Sequence, residues 1–292
     1  MKVFVTGATG FVGSATVQEL IRTGHQVLGL ARSEEAVKSL TAAGAQVHRG
    51  SLQDLDSLKS GVAASDGVIH LGFIHDFTKF AENCAIDKLA IETMGAALAG
   101  SNKPIVVTSG TALVSPGTLA LETVTPKPNP AWPRVSEYAA DELAGKGINA
   151  SVVRLSPSVH GDGDHGFVPM LISLAREKGV SAYIGEGKNR WTGVHRLDAG
   201  VLFRLALERG TTGTRYHGAD EEGVAFKDIA EAIGKGLKLP VESKPAEHFG
   251  WFAGFAGVDC PASSKLTRES LGWKPTHKTL LADLAEGTYF KS

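Results

Sequence analysis

The stretch MKVFVTGATGFVG, residues 1–13, decides how the chain is read. Lys2–Thr6 is a short apolar run rich in β-branched and aromatic residues, the pattern of a strand buried on both faces. Gly7, Gly10 and Gly13 follow at the spacing G-x-x-G-x-x-G, and residues 14–23 then carry apolar side chains at helical intervals. A glycine-punctuated turn between a first strand and a first helix suits a phosphate cradle, because backbone N–H groups and the positive helix start face an incoming pyrophosphate. Gly7 permits the tight turn, Gly10 admits phosphate close to backbone, and Gly13 lets helix and strand meet. With Thr9, Phe11 and Val12 they form the expected dinucleotide loop. An ordinary βα turn that binds nothing explains one such glycine easily and three at this spacing poorly.

The rest of the composition narrows the class. The chain has 292 residues and a net charge of -1, which gives no electrostatic footing for nucleic acid or an anionic membrane surface. No apolar run approaches the roughly 18 residues of a membrane span. Glycines interrupt the N-terminal apolar stretch, so no signal peptide is expected. Cys84 and Cys260 are too few for a disulfide framework and lack metal-ligand spacing. A reducing cytoplasm is the expected location.

Working outward from the opening, residues 26–31 read as a second strand whose end selects the cofactor. An acid there would hold the ribose hydroxyls of NAD, whereas an arginine accommodates the 2′-phosphate of NADP. The sequence has Arg32 and no acid until Glu34, so NADP(H) is favoured over NAD(H). Ser33 is expected to cap a helix over residues 34–42, and Asp54 another short one. Further strands are expected at 46–49, 67–71, 104–108 and 149–155, with helices at 76–99 and from Pro133 to about residue 145. This alternation predicts a Rossmann-like α/β fold, a doubly wound parallel sheet with ligands beyond its C-terminal strand ends. Residues 113–133 form a long Pro- and Thr-rich loop, the pattern of a flap or a disordered segment. Beyond residue 161 the pattern is broken. Helices are expected near 166–177, 198–209, 226–237, 263–271 and 280–286, short strands near 182–184 and 214–217, and a polar loop over 186–192 around Trp191. The expected organisation is a dinucleotide-binding domain over 1–161, to which 193–217 returns. Residues 162–192 and 218–292 then make a small C-terminal substrate-binding lobe.

Together TGATGFVG (6–13), SLQDLDSL (51–58), IHLGF (69–73), VVTSG (106–110), Tyr138, VVRLSPSVHG (152–161), VHRLDAG (194–200) and LGWKP (271–275) resemble the extended, epimerase/dehydratase-like branch of the short-chain dehydrogenase/reductases. The resemblance spans most of the chain. It implies hydride transfer at a nicotinamide, with a Tyr as proton donor or acceptor, a Lys four residues on that lowers its pKa, and a Ser or Thr holding the substrate oxygen. It also implies cofactor contacts at Ser51, Leu52, Leu71, Gly72, Phe73, Thr108, Pro157, Ser158 and Val159, and a possible homodimer.

The sequence departs from the family pattern at the catalytic pair. Tyr138 lies where the phenol is expected, but position 142 is Glu and 141 is Asp, and the next lysine downstream is Lys146. Carboxylates beside a phenol raise its pKa and weaken it as a base. An atypical subgroup of the branch has a similarly degenerate pair. Tyr138 is therefore a candidate neutral donor or an aromatic packing residue. Ser109 and Thr111 are the hydroxyl candidates, with turn hydrogen bonding as the alternative. His160, Asp162, Asp164 and His165 superficially suggest a metal site, but the alternating glycines favour a turn, and no metal is expected. His195 is a minor acid/base candidate, Arg154 reads as structural or near the cofactor, and Arg134 and Glu137 read as surface residues. The expected activity is an NADP(H)-dependent oxidoreductase acting on a carbonyl or hydroxyl of a small-molecule substrate. The alternatives are a catalytically silent NAD(P)-binding redox sensor and a sugar-nucleotide epimerase or dehydratase.

Overall fold

The computed structural model describes residues 1–127 and 133–291. Its first half alternates strictly: β1 (Lys2–Thr6), α1 (Phe11–Arg22), β2 (Gln26–Ala31), α2 (Glu34–Ala42), β3 (Gln46–Arg49), α3 (Leu55–Ala63), β4 (Gly67–His70), α4 (Phe80–Ala97), β5 (Ile105–Gly110), α5 (Ser136–Gly145) and β6 (Ala150–Leu155). There follow β7 (Ser158–His160), α6 (Phe167–Lys178), β8 (Ser181–Tyr183), β9 (Arg190–His195), α7 (Arg196–Arg209), β10 (Arg215–Gly218), β11 (Glu221–Ala225), α8 (Phe226–Leu237) and β12 (Val241–Ser243). The chain continues with α9 (Ala253–Ala256), α10 (Lys265–Leu271) and α11 (Leu280–Glu286).

Seven strands make one parallel sheet in the order β10-β6-β5-β4-β1-β2-β3. The order reverses direction at β1, the switch point where such sheets open a crevice for ligands. Alternating residues of β1 serve opposite faces. Val3 and Val5 join α1 and α7 on one side, and Phe4 joins α3, α4 and α5 on the other. Each face is therefore covered by helices, which is why these strands carry almost unbroken apolar runs. Ser33 and Asp54 cap α2 and α3 by accepting from Ala36 and Ser57 N–H groups, as their position before each helix predicts.

Beyond the large sheet, β11-β9-β7 and β12-β8 form two small sheets. They enclose a third apolar cluster around Trp191 with α6, α8 and α11. Here the sequence expectation needs correcting. The end of the polar loop expected over 186–192 belongs instead to β9, which runs from Arg190 to His195, and Trp191 is fully buried, its ring 5.0 Å from that of Phe226 and its Nε1 donating to Phe255 O. Thr192 and Gly193 interrupt the apolar pattern, and both edges of the strand are paired. Shorter corrections apply elsewhere. β7 occupies a stretch read as a strand exit, α1 begins at Phe11, β5 runs on to Gly110, and α5 begins at Ser136.

Of the long loop after β5, residues 128–132 lie outside the described residues. Its first part is stitched to the far end of the chain. Gly117 N donates to Asp259 O (2.7 Å), Ala120 N to Pro261 O (2.8 Å) and Ser263 N to Ala120 O (2.9 Å). The buried Glu122 carboxylate accepts from Thr267 N and Oγ1 at 2.8 and 3.0 Å.

Candidate functional site

At the β1–α1 turn the geometry is set by backbone. Gly7 has φ +64°, and a Cβ there would lie 2.7 Å from Leu71 and Gly72 backbone atoms. A Cβ on Gly13 would fall 1.9 Å from Gly7 O. The turn thus presses on the end of β4 while α1 presses on the turn. Gly10 caps α1 without a side chain, and the first turn holds no acid. Among the described residues no carboxylate accepts from its leading N–H groups, the arrangement an anion needs. Leu52 lies against the same junction, since a Cβ on Gly72 would meet Leu52 Cδ2 at 3.1 Å. Arg196 reaches over from α7. Its guanidinium sits 4.7 Å from the Phe11 ring and donates to Ser14 Oγ (2.8 Å) and Asp162 O (2.7 Å).

Arg32 is exposed just past β2, with no ion-pair partner among the described residues. Nearby Arg49 is engaged by Glu34. Ser51 accepts from Gln53 N at 3.3 Å in the turn after β3. Ser158, on β7, is buried, and its hydroxyl has no hydrogen-bond partner among the described residues. It lies beside Pro157 and Val159, in the stretch expected to contact the cofactor. The glycine cradle and this orphaned hydroxyl both fit a bound dinucleotide.

Sequence reading missed a buried chain of polar groups behind the strand ends. Gly72 N donates to Thr6 Oγ1 (3.1 Å), which lies 2.7 Å from His70 Nδ1. His70 Nε2 is 3.0 Å from Asp87 Oδ1, and Ser136 Oγ donates to Asp87 Oδ2. Arg134 Nε donates to Ser136 Oγ at 3.1 Å. Thr6 Oγ1, which accepts from Gly72 N, can donate to His70 Nδ1, and His70 Nε2 then donates to Asp87. Burial works against the Asp87 carboxylate, but His70, Arg134 and Ser136 outweigh it and hold its pKa below the usual range. The available signal was faint: His70 ends the apolar run of β4, and Asp87 is one of several charged residues in α4. Thr108 Oγ1 donates to His70 O (2.7 Å), tying β5 to β4 at this point.

Among the described residues, no hydrogen bond joins the three catalytic candidates to one another. Tyr138 Oη donates to Pro126 O at 2.9 Å. Its pKa is raised by burial first, then by the charges of Glu137 and Asp141. The offending carboxylates are thus 137 and 141, and not 142 as spacing suggested. Thr111 is buried, with Oγ1 3.1 Å from Thr192 Oγ1 and 3.4 Å from Leu155 O. Ser109 is buried on β5 opposite Arg154 in register. Glu137, expected at the surface, is instead 4 % exposed and accepts from Arg154 and Arg215. Arg154, fully buried, also donates to Val124 O and His217 Nε2. Burial, then the Arg154 cation, pulls the His217 pKa down to about 4.

The HGDGDH stretch disperses. His160 pairs with Asp283, Asp162 accepts from Thr288, Asp164 accepts from Tyr289 and Gly166 N, and His165 lies edge-on to Phe11. The group close enough for a metal is another one, His195, Asp198 and His277. Asp198 already accepts from Thr276 N, His277 N and His277 Nδ1, and the two imidazoles are stacked at 4.7 Å, so ring planes and lone pairs do not meet at one point. His195 is the N-cap of α7, accepting from Leu197 N. Its pKa falls to about 4 through burial and then the neighbouring His160 and His277.

With this geometry in view, comparison with known proteins is decisive about kinship. Residues 3–217 match the NAD dependent epimerase/dehydratase family. The chain belongs to that family. It is 51 % identical over 296 residues to an uncharacterized protein of Schizosaccharomyces pombe, covering 99 % of this chain and 100 % of the relative. It is 28 % identical over 84 % of its length to 76 % of a 4-hydroxy-2-methyl-3-oxo-4-farnesyl-3,4-dihydroquinoline-1-oxide ketoreductase of Stigmatella aurantiaca. A nucleoside-diphosphate-sugar epimerase structure from Pseudomonas aeruginosa superimposes with TM-score 0.80 at 19 % identity, covering 99 % of this chain and 97 % of that one, which establishes the shared fold. The protein is accordingly an NAD(P)-dependent, oxidoreductase-type member of the epimerase/dehydratase family. Among the described residues no helix is long and apolar enough to cross a membrane.

Proposed function

We propose that the chain is an NADP(H)-dependent oxidoreductase acting on a carbonyl or hydroxyl of a small organic molecule. The observation that carries the NADP preference is the unpaired, exposed Arg32 at the end of β2, with no acid at the strand end. The α1 start and the Gly7–Gly13 loop take the pyrophosphate, Leu52, Leu71 and Gly72 line the adenosine–ribose side, and Phe73, Thr108, Pro157, Ser158 and Val159 the nicotinamide side. When bound, the nicotinamide supplies or accepts the hydride. Ser109 and Thr111 sit where β5 delivers its end to the cleft, and the lobe of residues 162–192 and 218–292 closes the substrate pocket. Tyr138 can donate a proton only once its bond to Pro126 O is released. Positioning alone supplies much of such a rate.

One observation favours a second reading. With Tyr138 bonded to a backbone carbonyl and no Lys at position 142, the chain suits a dinucleotide-binding redox sensor that has lost turnover. The deciding experiment follows NADPH and NADH oxidation against a panel of aldehydes and ketones, in the wild type and Tyr138→Phe. Turnover with NADPH supports the oxidoreductase. Tight NADPH binding with no turnover on any carbonyl supports the sensor. Equal turnover in Tyr138→Phe removes the phenol from the mechanism.

A further inference from the structure

Arg134, read from sequence as a surface charge, stands over the strand ends. Its guanidinium carbon lies 4.4 Å above the Phe73 ring centre. Its Nη2 donates to Thr108 O at 3.4 Å and its Nε to Ser136 Oγ, while Nη1 has no bond to any described residue. Asp87, whose carboxylate the Arg134 charge helps to hold ionised, has its two oxygens taken by His70 and Ser136. Arg134 therefore presents a partly free, planar donor edge beside the residue that precedes Ser109.

From Phe73 an aromatic row leads away. Phe73 meets Phe80 at 6.1 Å and His75 at 5.3 Å, and Phe80 meets Phe77 at 5.8 Å. Phe77 then meets Trp251 at 5.8 Å and 31°, so the row crosses from the large sheet to the C-terminal lobe. Trp251 is 64 % exposed, the most exposed large apolar side chain among the described residues, and follows Gly250 at φ +55°. An indole face left open at the end of an aromatic row is surface that water solvates poorly and a flat apolar ligand covers well.

We propose that Arg134 and this aromatic row are the substrate-recognition site, and that the substrate is an elongated apolar carbonyl compound carrying an acidic group. This rests on the oxidoreductase reading above. The guanidinium fork pairs a carboxylate in two parallel hydrogen bonds, which a lysine or a neutral side chain does not reproduce. The aromatic row holds the apolar body, and the acid fixes which carbonyl lies at the end of β5.

The test compares 2-naphthoate with 2-naphthamide, an uncharged analogue of similar shape, by titration calorimetry on the protein with and without NADPH. The acid is expected to bind at least about tenfold more tightly than the amide in the wild type, with Arg134→Met bringing the two level. Trp251→Ala, at an exposed position that does not threaten folding, is expected to weaken both ligands by a similar factor. Equal affinities in the wild type, no binding of either ligand, a preference that survives Arg134→Met, or Trp251→Ala without effect would each overturn the proposal. A parallel NADPH and NADH titration reads the oxidoreductase assignment separately: dinucleotide binding without acid preference sinks only the substrate assignment. Preference without dinucleotide binding sinks only the enzyme.

Discussion

The β1–α1 turn and the β5–α5 junction stand two strands apart in one sheet, and they are built from different material. At the first, the binding groups are backbone N–H groups, exposed by glycines whose missing side chains leave no other geometry possible. At the second, the groups are side chains held by partners far away in sequence: Glu137 by Arg154 and Arg215, Asp87 by His70, Arg134 by Thr108 O. A backbone site tolerates change in everything except its glycines. A side-chain site can be rebuilt charge by charge, and here Glu142 stands four residues after Tyr138 while Glu137 is a buried carboxylate between two arginines.

The sharpest way to break this contrast is at Glu137. Glu137→Ala leaves Arg154 buried without its carboxylate, and removing one partner of a buried ion pair costs about 3–5 kcal/mol. Urea unfolding measures it, and a loss under about 1 kcal/mol would mean the junction does not depend on this cluster. Next is Gly13→Ala, where a methyl meets Gly7 O at 1.9 Å. Relief of that overlap costs roughly 1–3 kcal/mol, so NADPH binding is expected to weaken about 10- to 100-fold by fluorescence titration. Unchanged binding would show that the turn is not the pyrophosphate site. Smaller again, Arg32→Ala should weaken NADPH about tenfold and NADH less than about twofold; equal losses would end the NADP assignment.

The smallest effect is a pH slope. His217 has a folded pKa of about 4 against an ordinary 6.5. The unfolded chain binds the proton first as pH falls, so the stability it contributes is whole above about pH 6.5 and drains between there and pH 4. His195, also near 4, adds a slope of the same sign. His217→Gln is expected to flatten the urea midpoint's fall over that window. A slope as steep as the wild type's would assign the acid sensitivity elsewhere.

What was legible in the sequence follows the same division. Strand and helix alternation through residue 155, and the caps at Ser33 and Asp54, are local signals, and local chemistry produced them. β9 was hidden because Thr192 and Gly193 break its apolar run while pairing on both edges buries it anyway. Glu137 read as exposed because a charged residue on a helix normally is, and nothing near it announces arginines 17 and 78 positions away. His70 and Asp87 sit 17 residues apart; His70 stands out at the end of an apolar strand, whereas Asp87 is hidden among the other charged residues of α4.

The stitching of the loop after β5 to residues 259–267 has a consequence for the order in which the molecule comes into being. On the ribosome β1, α1 and their glycine turn emerge first, and strands β1 to β6 can pair before the rest is made. Gly117, Ala120 and Glu122 must wait for Asp259, Pro261 and Thr267. A nascent chain thus forms its glycine turn early and fastens the loop after β5 late. Protease clipping near residues 259–267 is the converse case: it would unfasten that loop while the glycine turn, more than two hundred residues upstream, stays whole.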